Sequence, residues 1–448
     1  ELLALNERRL GLTCAAKSLA GCFAELIIRA HEASGERVVV LVDEYDKPIL
    51  DNIDQPARAA ELREGLKNLY SAMKAQDAHL QFVFMTGVTK FSKVSLFSGL
   101  NQLNDLTLDP RFATVCGYTQ TDLETTFGAH LAGVDWDQLK RWYNGYGFLG
   151  EPVYNPFDIL LFISEDQQYR NYWFETGSPS FLIKLLKRRR AFLPDLEGVE
   201  ASEEILDSFD IERIDPVTLL FQAGYLTIDY TRNPFGQLLF VLRVHNQEVR
   251  QALANQLADA YTGRLPSERL TWQKGLYAPL SQGDIPGLIA AIRRLFAGIP
   301  WQNFRNNDLP EAEGYYASVL YAFFASLNAE IIPEDVSNHG QVDLTVKLAD
   351  YIYVIEIKVR QRTSPGWSAS AAREQTLQEG ESGTRTGAPT TPPGSPSPPA
   401  TNPALAQIRA RDYSAKYRGL PGRGLFELGL VFDSQDRNLV QADWQALC

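Results

Sequence analysis

Cysteine, histidine and methionine are scarce in this 448-residue chain, at four, five and two residues. The cysteines Cys14, Cys22, Cys116 and Cys448 form no CxxC pair, and the histidines form no HxxxH or HExxH. That spacing argues against a zinc site or a disulfide framework and fits a reducing cytoplasm. Long apolar runs are missing as well. The longest aliphatic run, Val38 to Val42, falls far short of the roughly 20 residues needed to cross a bilayer, and no basic-then-apolar leader precedes it. The expectation is a cytoplasmic chain without membrane contact. Positive charge is in deficit, with 43 Lys and Arg against 55 Asp and Glu and a net charge of -12. This balance argues against bulk electrostatic adhesion to nucleic acid, so any such contact must be local. Glu1 rather than Met opens the sequence, which leaves room for a fragment or a processed product.

What is present is ordinary folded protein: 45% hydrophobic and 22% charged residues, the globular average. At roughly 100 to 200 residues per domain, the length suits about three domains. Apolar residues from Leu10 to Ala33 recur three or four apart up to Ser34-Gly35, which predicts an amphipathic helix. The buried strand RVVVLVDEYD follows, then a helix over about Ala59 to Ala75 and a second apolar strand, Leu80 to Gly87. Helices alternating with apolar strands predict a parallel sheet covered on both faces, with polar residues (Asp43, Glu44, Thr86) at the strand ends where ligands of open α/β sheets bind. A first domain over residues 1–122 gives way to a mainly helical connecting domain over 123–265, with strand-like pieces at GYLTIDY and QLLFVLRV. An α/β domain fills 266–448. Within it, Arg360 to Pro403 turns to Ser, Thr, Gly, Pro and Ala, a composition that reads as a disordered insert.

Two constellations carry chemistry. In LVDEYDKP the strand delivers Asp43 and Glu44 to its carboxyl end, where such acids would orient a magnesium shell and polarise an attacking water; they could equally cap the next helix. The partner such a pair needs is a Gly-rich phosphate loop between strand and helix. The nearest match, GLTCAAKS at Gly11 to Ser18, has Ala16 at the second glycine position, no strand before it and a predicted place inside the helix. Lys17 and Ser18 read as a solvated helix face. The second constellation is YIYVIEIKV, where Glu356 and Lys358 interrupt a strand apolar on both faces, so charge is being buried. With Asp343 on the preceding strand, the spacing suits Mg2+ or Mn2+ held between Asp343 and Glu356, with Lys358 stabilising a developing phosphorane. Glu313 projects from the preceding helix on the same face as Tyr316, Leu320 and Phe323. Each residue has a structural alternative: a salt bridge for Glu356 and Lys358, a turn for Asp343, a helix N-terminal acid for Glu313. The dense basic tract Lys184, Lys187, Arg188, Arg189 and Arg190 reads as a helix C-terminus favoured by the macrodipole, with a nucleic-acid patch as the lesser alternative.

The phrases VVVLVDEYDKPI, FVFMTGVTKFSKVSLFSGLNQLNDLTL, RWYNGYGF with VYNPFDIL, YWFETGSPSFL and LLFQAGYLTIDY resemble a bacterial family with a predicted AAA-ATPase-like domain. HGQVDLTVKL, VIEIKV and ALAQIRARDYSAKYRG resemble the PD-(D/E)XK nuclease domain that the family carries at its C-terminal end. The resemblance implies an α/β fold in three parts: a P-loop-like parallel sheet lacking its first strand and phosphate loop, a helical middle and a nuclease fold. It implies ATP-related roles for Asp43 and Glu44 and a sensor-like role for Thr86 or Thr89. It also implies nuclease roles for Asp343, Glu356, Lys358, Glu313 and Gln407, and nucleic acid as the substrate. Two departures stand out. The family's Gly-Lys-Ser/Thr loop lies upstream of the point where this sequence begins, and the Arg360 to Pro403 stretch separates the E-x-K strand from the Gln407 helix. The leading expectation is a metal-dependent nuclease with an incomplete ATPase half. The alternatives are a nucleotide-dependent switch or interaction protein with an inert nuclease fold, and a decayed copy.

Overall fold

In the computed structural model, the helix expected from Leu10 to Ala33 begins only at Leu19. The residues described are 2–53, 55–89, 103–173, 196, 198–207, 215–263, 265–299, 313–360, 401–420 and 423–447. Helix α1 (Leu2–Leu10) stops at Gly11, whose φ of 63° ends the helical path, and α2 (Leu19–Ser34) starts only where the Ser18 hydroxyl accepts from Gly21 N. Local capping overrides the apolar period here. GLTCAAKS is therefore a loop rather than part of a helix, with Ser18 as its cap. A helix, not a strand, still precedes it.

Strand β1 (Val38–Val42) pairs in parallel with β2 (Leu80–Met85), and α3 (Pro56–Lys74) connects them and packs on α2. This is the expected helix–strand alternation. Coverage of both faces is not what the described residues show: Val39, Leu41, Phe82 and Phe84 share one exposed face, and the two phenyl rings stack 6.1 Å apart. Among the described residues α2 packs on β1, and Val40 and Leu80 of this two-stranded sheet are buried.

Further along, α4 (Trp136–Tyr143) and α5 (Pro156–Ser164) enclose a core of Leu123, Leu139, Tyr143, Tyr154, Ile159 and Phe162. The strand-like pieces at GYLTIDY and QLLFVLRV of the middle stretch are strands. They form an antiparallel sheet in which β3 (Val199–Ser202) and β4 (Leu226–Arg232) flank β5 (Leu239–Val244). The basic tract around Lys184 lies outside the described residues. Contacts divide the chain into two compact units near Leu253, within α6 (Gln247–Thr262).

The second unit is a layered α/β fold. After α7 (Pro266–Gln282), α8 (Ile285–Ala297) and α9 (Glu313–Ser326) come β6 (Glu330–Ser337), β7 (Gly340–Leu348) and β8 (Tyr351–Arg360). Helix α10 (Pro403–Arg411), β9 (Gly424–Asp433) and β10 (Asn438–Leu447) complete it. The sheet order is β10-β9-β8-β7-β6, with β8 and β9 parallel and every other pair antiparallel. Strand alternation gives β8 two apolar faces. On one, Tyr353 donates from its hydroxyl to Leu280 O, and Phe432 of β9 meets the rings of Tyr316 and Phe296 at 4.2 and 4.8 Å. On the other, Ile352, Val354 and Leu425 pack under Leu405 and Ile408 of α10 with Tyr413 and Tyr417. Helix α9 is buried from Tyr315 to Ser326, all around its axis, as a central core helix is. Of the insert expected over Arg360 to Pro403, residues 361–400 lie outside the described residues, while Arg360 ends β8 and Asn402 and Pro403 cap and begin α10.

Candidate active site

The ladder between β7 and β8 runs from Leu348–Tyr351 to Leu344–Ile355 and stops one residue short of Asp343 and Glu356. Where the strands part, the Asp343 carboxylate takes over as backbone partner, accepting from Ile357 N at 2.6 Å. Glu356 and Lys358 follow Ile352 and Val354 along the face covered by α10. Lys358 Nζ donates to Glu356 Oε1 at 2.9 Å and lies 3.5 Å from Glu313 Oε2, at the first residue of α9. The other Glu313 oxygen, Oε1, is 3.4 Å from Val359 N. Four of the five nuclease residues implied by the sequence are thus brought together around β8. The fifth, Gln407, lies on α10 and bonds none of the four: its amide donates to the Tyr413 hydroxyl at 3.4 Å.

The electrostatics of this cluster are those of excess negative charge in a dry place. Glu356 is 2% exposed. Burial, and then repulsion from Asp343, push its carboxyl up to about 7, against the opposing pull of Lys358. Burial also raises Asp343, with Glu313 and Glu334 of β6 adding to the effect. Burial alone would lower Lys358, but the hydrogen bond and charge of Glu356 outweigh it and the ammonium is held above its ordinary value. One feature of the cluster is unsatisfied: Glu356 Oε2 is buried without any hydrogen-bond partner, a costly state for a carboxylate oxygen. Among the described residues, no group of three or more His, Cys, Asp or Glu could hold a metal ion. Two carboxylates still fit a hard divalent cation, since Mg2+ is commonly held by one or two carboxylates while water and substrate oxygens fill the other positions.

In the first unit, Asp43 Oδ1 accepts from the Thr86 hydroxyl at 2.5 Å and from Glu44 N at 3.0 Å. The acid after β1 and the hydroxyl after β2 therefore meet. Glu44 is exposed, with φ at 50°. Sequence reasoning passed over the third acid of the motif, Asp46. It is fully buried and accepts from Val88 N, Thr89 N and the Thr89 hydroxyl at 3.2, 2.5 and 2.6 Å. Gly87 is required beside it, because a Cβ there would lie 2.5 Å from Asp46 Oδ1 and 2.6 Å from the Tyr45 ring. The loop from Gly11 to Ser18 offers no open cradle: Glu25 accepts from Ala15 N and Ala16 N at 2.8 and 2.9 Å, and Glu7 accepts from Cys14 N.

A strand pair ending in Asp43 and Thr86, and a mixed sheet bearing Asp343, Glu356 and Lys358, define a two-part chain of known type. It belongs to the family of proteins that join a predicted AAA-ATPase domain, matched here over residues 1–97, to a PD-(D/E)XK nuclease superfamily domain, matched over residues 311–391. An uncharacterized protein from the vnfD 5' region of Azotobacter chroococcum mcd 1 is 42% identical over 440 residues, which cover 98% of this chain and 78% of that protein. No solved structure matches. No helix among the described residues is long and apolar enough to cross a membrane.

Proposed function

We propose that the second unit hydrolyses phosphodiester bonds of nucleic acid in the cytoplasm, with Asp343 and Glu356 holding Mg2+ or Mn2+. The observation that carries this reading is the buried, unpartnered Glu356 Oε2 beside a second carboxylate of raised pKa. A divalent ion supplies the positive charge those oxygens lack and the activation of water that the hydrolysis needs. Asp343 is oriented for this by its bond to Ile357 N. Lys358 has three N–H donors, of which Glu356 and Glu313 take two. The third is free to meet a phosphate oxygen, where its charge counts most as the phosphorane forms. Glu313 steadies that ammonium from α9. Gln407 faces the substrate from α10, and Asp43, Glu44 and Thr86 form the nucleotide-facing end of the first unit.

A second reading, an inert nuclease fold serving as a switch or interaction module, is favoured by the Lys358–Glu356 contact, because a salt bridge needs no ion. Single-stranded and duplex DNA and RNA incubated with the full chain, after chelation and then with Mg2+ or Mn2+, separate the two. Cleavage that requires the ion and is lost in Glu356→Gln supports the nuclease. No cleavage of any of these substrates, or cleavage that survives the substitution, refutes it.

A further inference from the structure

Gly429 of β9 is the register partner of Glu356 across the parallel β8–β9 ladder. A Cβ at this position would lie 2.3 Å from Leu405 N, 2.7 Å from Leu405 Cβ and 2.8 Å from Asn402 Oδ1. Backbone cannot yield by such amounts without moving the helix, so α10 rests directly on the strand residue beside Glu356. Asn402 fastens it there. Buried to 5% exposure, its Oδ1 accepts from Ala404 N at 2.9 Å and Leu405 N at 3.1 Å, while its Nδ2 donates to Gly429 O at 2.9 Å and to Asp443 Oδ2 at 3.0 Å. All four hydrogen-bonding positions of one amide are used.

A helix cap alone does not call for this arrangement, since Ser, Thr or Asp supplies the capping oxygen equally well. Only Asn adds donors for the strand and for β10. The apolar contacts of Leu405 and Ile408 with Ile352 and Val354 hold the helix to the sheet, but such contacts are non-directional and leave its position along the strand loosely set. The two strand-directed bonds and the missing Cβ set it.

We propose that Asn402 and Gly429 are positioning residues for the hydrolytic centre, locking α10 and its Gln407 over the sheet face that carries Glu356 and Lys358. The inference rests on the nuclease reading given above. The hydrogen bonds of Asn402 go to α10, β9 and β10 and to none of the four clustered side chains, so it acts through the helix, as does the missing Cβ of Gly429.

The test uses the full chain with three variants, Gly429→Ala, Asn402→Asp and Asn402→Ala. Three readouts apply: single-turnover cleavage, Mn2+ binding by electron paramagnetic resonance, and hydrogen exchange of the α10 amides. Gly429→Ala should slow cleavage on the order of 10- to 100-fold while Mn2+ affinity is retained, because the carboxylates stay while the helix retreats. Asn402→Asp keeps the cap and loses the donors, so the α10 amides should stay protected while cleavage falls. This separates positioning from simple helix stability, and it serves even where Gly429→Ala fails to fold. Asn402→Ala should lose both protection and cleavage. Wild-type cleavage rates in Asn402→Asp would reduce Asn402 to a cap and overturn the proposal, as would an unimpaired Gly429→Ala. A wild-type chain that binds Mn2+ yet cleaves nothing sinks the nuclease reading, and the positioning role with it.

Discussion

Replacing Glu356 by Gln should make the second unit inactive and, above neutral pH, more stable. The carboxyl is 2% exposed and is raised from 4.5 to about 7. At about 1.4 kcal/mol per unit, holding it ionised inside the fold costs about 3 kcal/mol. Because the folded value lies above the unfolded one, the protonated group favours the fold fully below pH 4.5, and that advantage is lost as pH rises through about 7. Gln carries no such charge, so the gap in favour of the variant should widen across that window. The Lys358 contact at 2.9 Å is weakened in return, which leaves a net gain of about 1 to 3 kcal/mol, or roughly 2 to 10 °C for a unit of this size. Thermal unfolding of both proteins in chelator at several pH values reads the effect. Added Mg2+ should raise the wild-type midpoint and leave the variant unmoved, since an ion stabilises only the state that binds it. A variant destabilised by several kcal/mol at alkaline pH, or one that still responds to Mg2+, would show that Glu356 is a structural salt-bridge partner.

Lys358→Ala should lower turnover on the order of 100-fold with a much smaller effect on metal affinity, read by comparing cleavage rates with Mn2+ titrations; equal losses in both would place the lysine in metal binding instead. Isothermal titration of the full chain with Mg-ATP should show no micromolar binding, because the amides of Ala15 and Ala16 already donate to Glu25; tight binding abolished by Asp43→Ala would contradict this. In the first unit, burial raises the fully buried Asp158 and Glu248, and Glu248, which also feels Asp158, reaches about 9. Its stability should therefore decline as pH climbs from the ordinary carboxylate range through about 9, and Asp158→Asn should flatten that slope in urea titrations; an unchanged slope would mean the two groups share no proton.

How much was legible in advance follows from the range of the signals. Glu356 and Lys358 announce themselves because two charged residues interrupt a strand apolar on both faces, and their pairing on one face needs only the period of two. The β7–β8 hairpin is equally local. Asp46, Asp158 and Glu248 were invisible as a class, since an acid in a motif or a helix looks the same exposed or buried until the packing is known. Glu248 accepts from Trp173 N, 75 positions away in sequence, and no spacing rule reaches that far. The Gly11 break was readable in principle: a glycine, then a Ser18 cap, inside an apolar period that otherwise continues. Asn402 also left a mark, because Asn before Pro at a helix start is a cap signal. Its further bonds to β9 and β10 depend on tertiary contact.

The parting of β7 from β8 explains why the centre sits where it does. A continued ladder would have given Ile357 N a carbonyl partner and left Asp343 an ordinary strand residue. With the strands apart, the amide donates to the Asp343 carboxylate, so one acid is fixed by the backbone of the strand that carries the other. The two carboxylates are then held together despite their repulsion, under a helix seated on Gly429 that keeps Glu356 from water. Backbone bonding, a missing side chain and a buried cap thus hold negative charge in a place that disfavours it. Such strain persists only where the surrounding structure over-determines it, and it vanishes on adding a cation or removing an acid, the two perturbations by which this centre is to be judged.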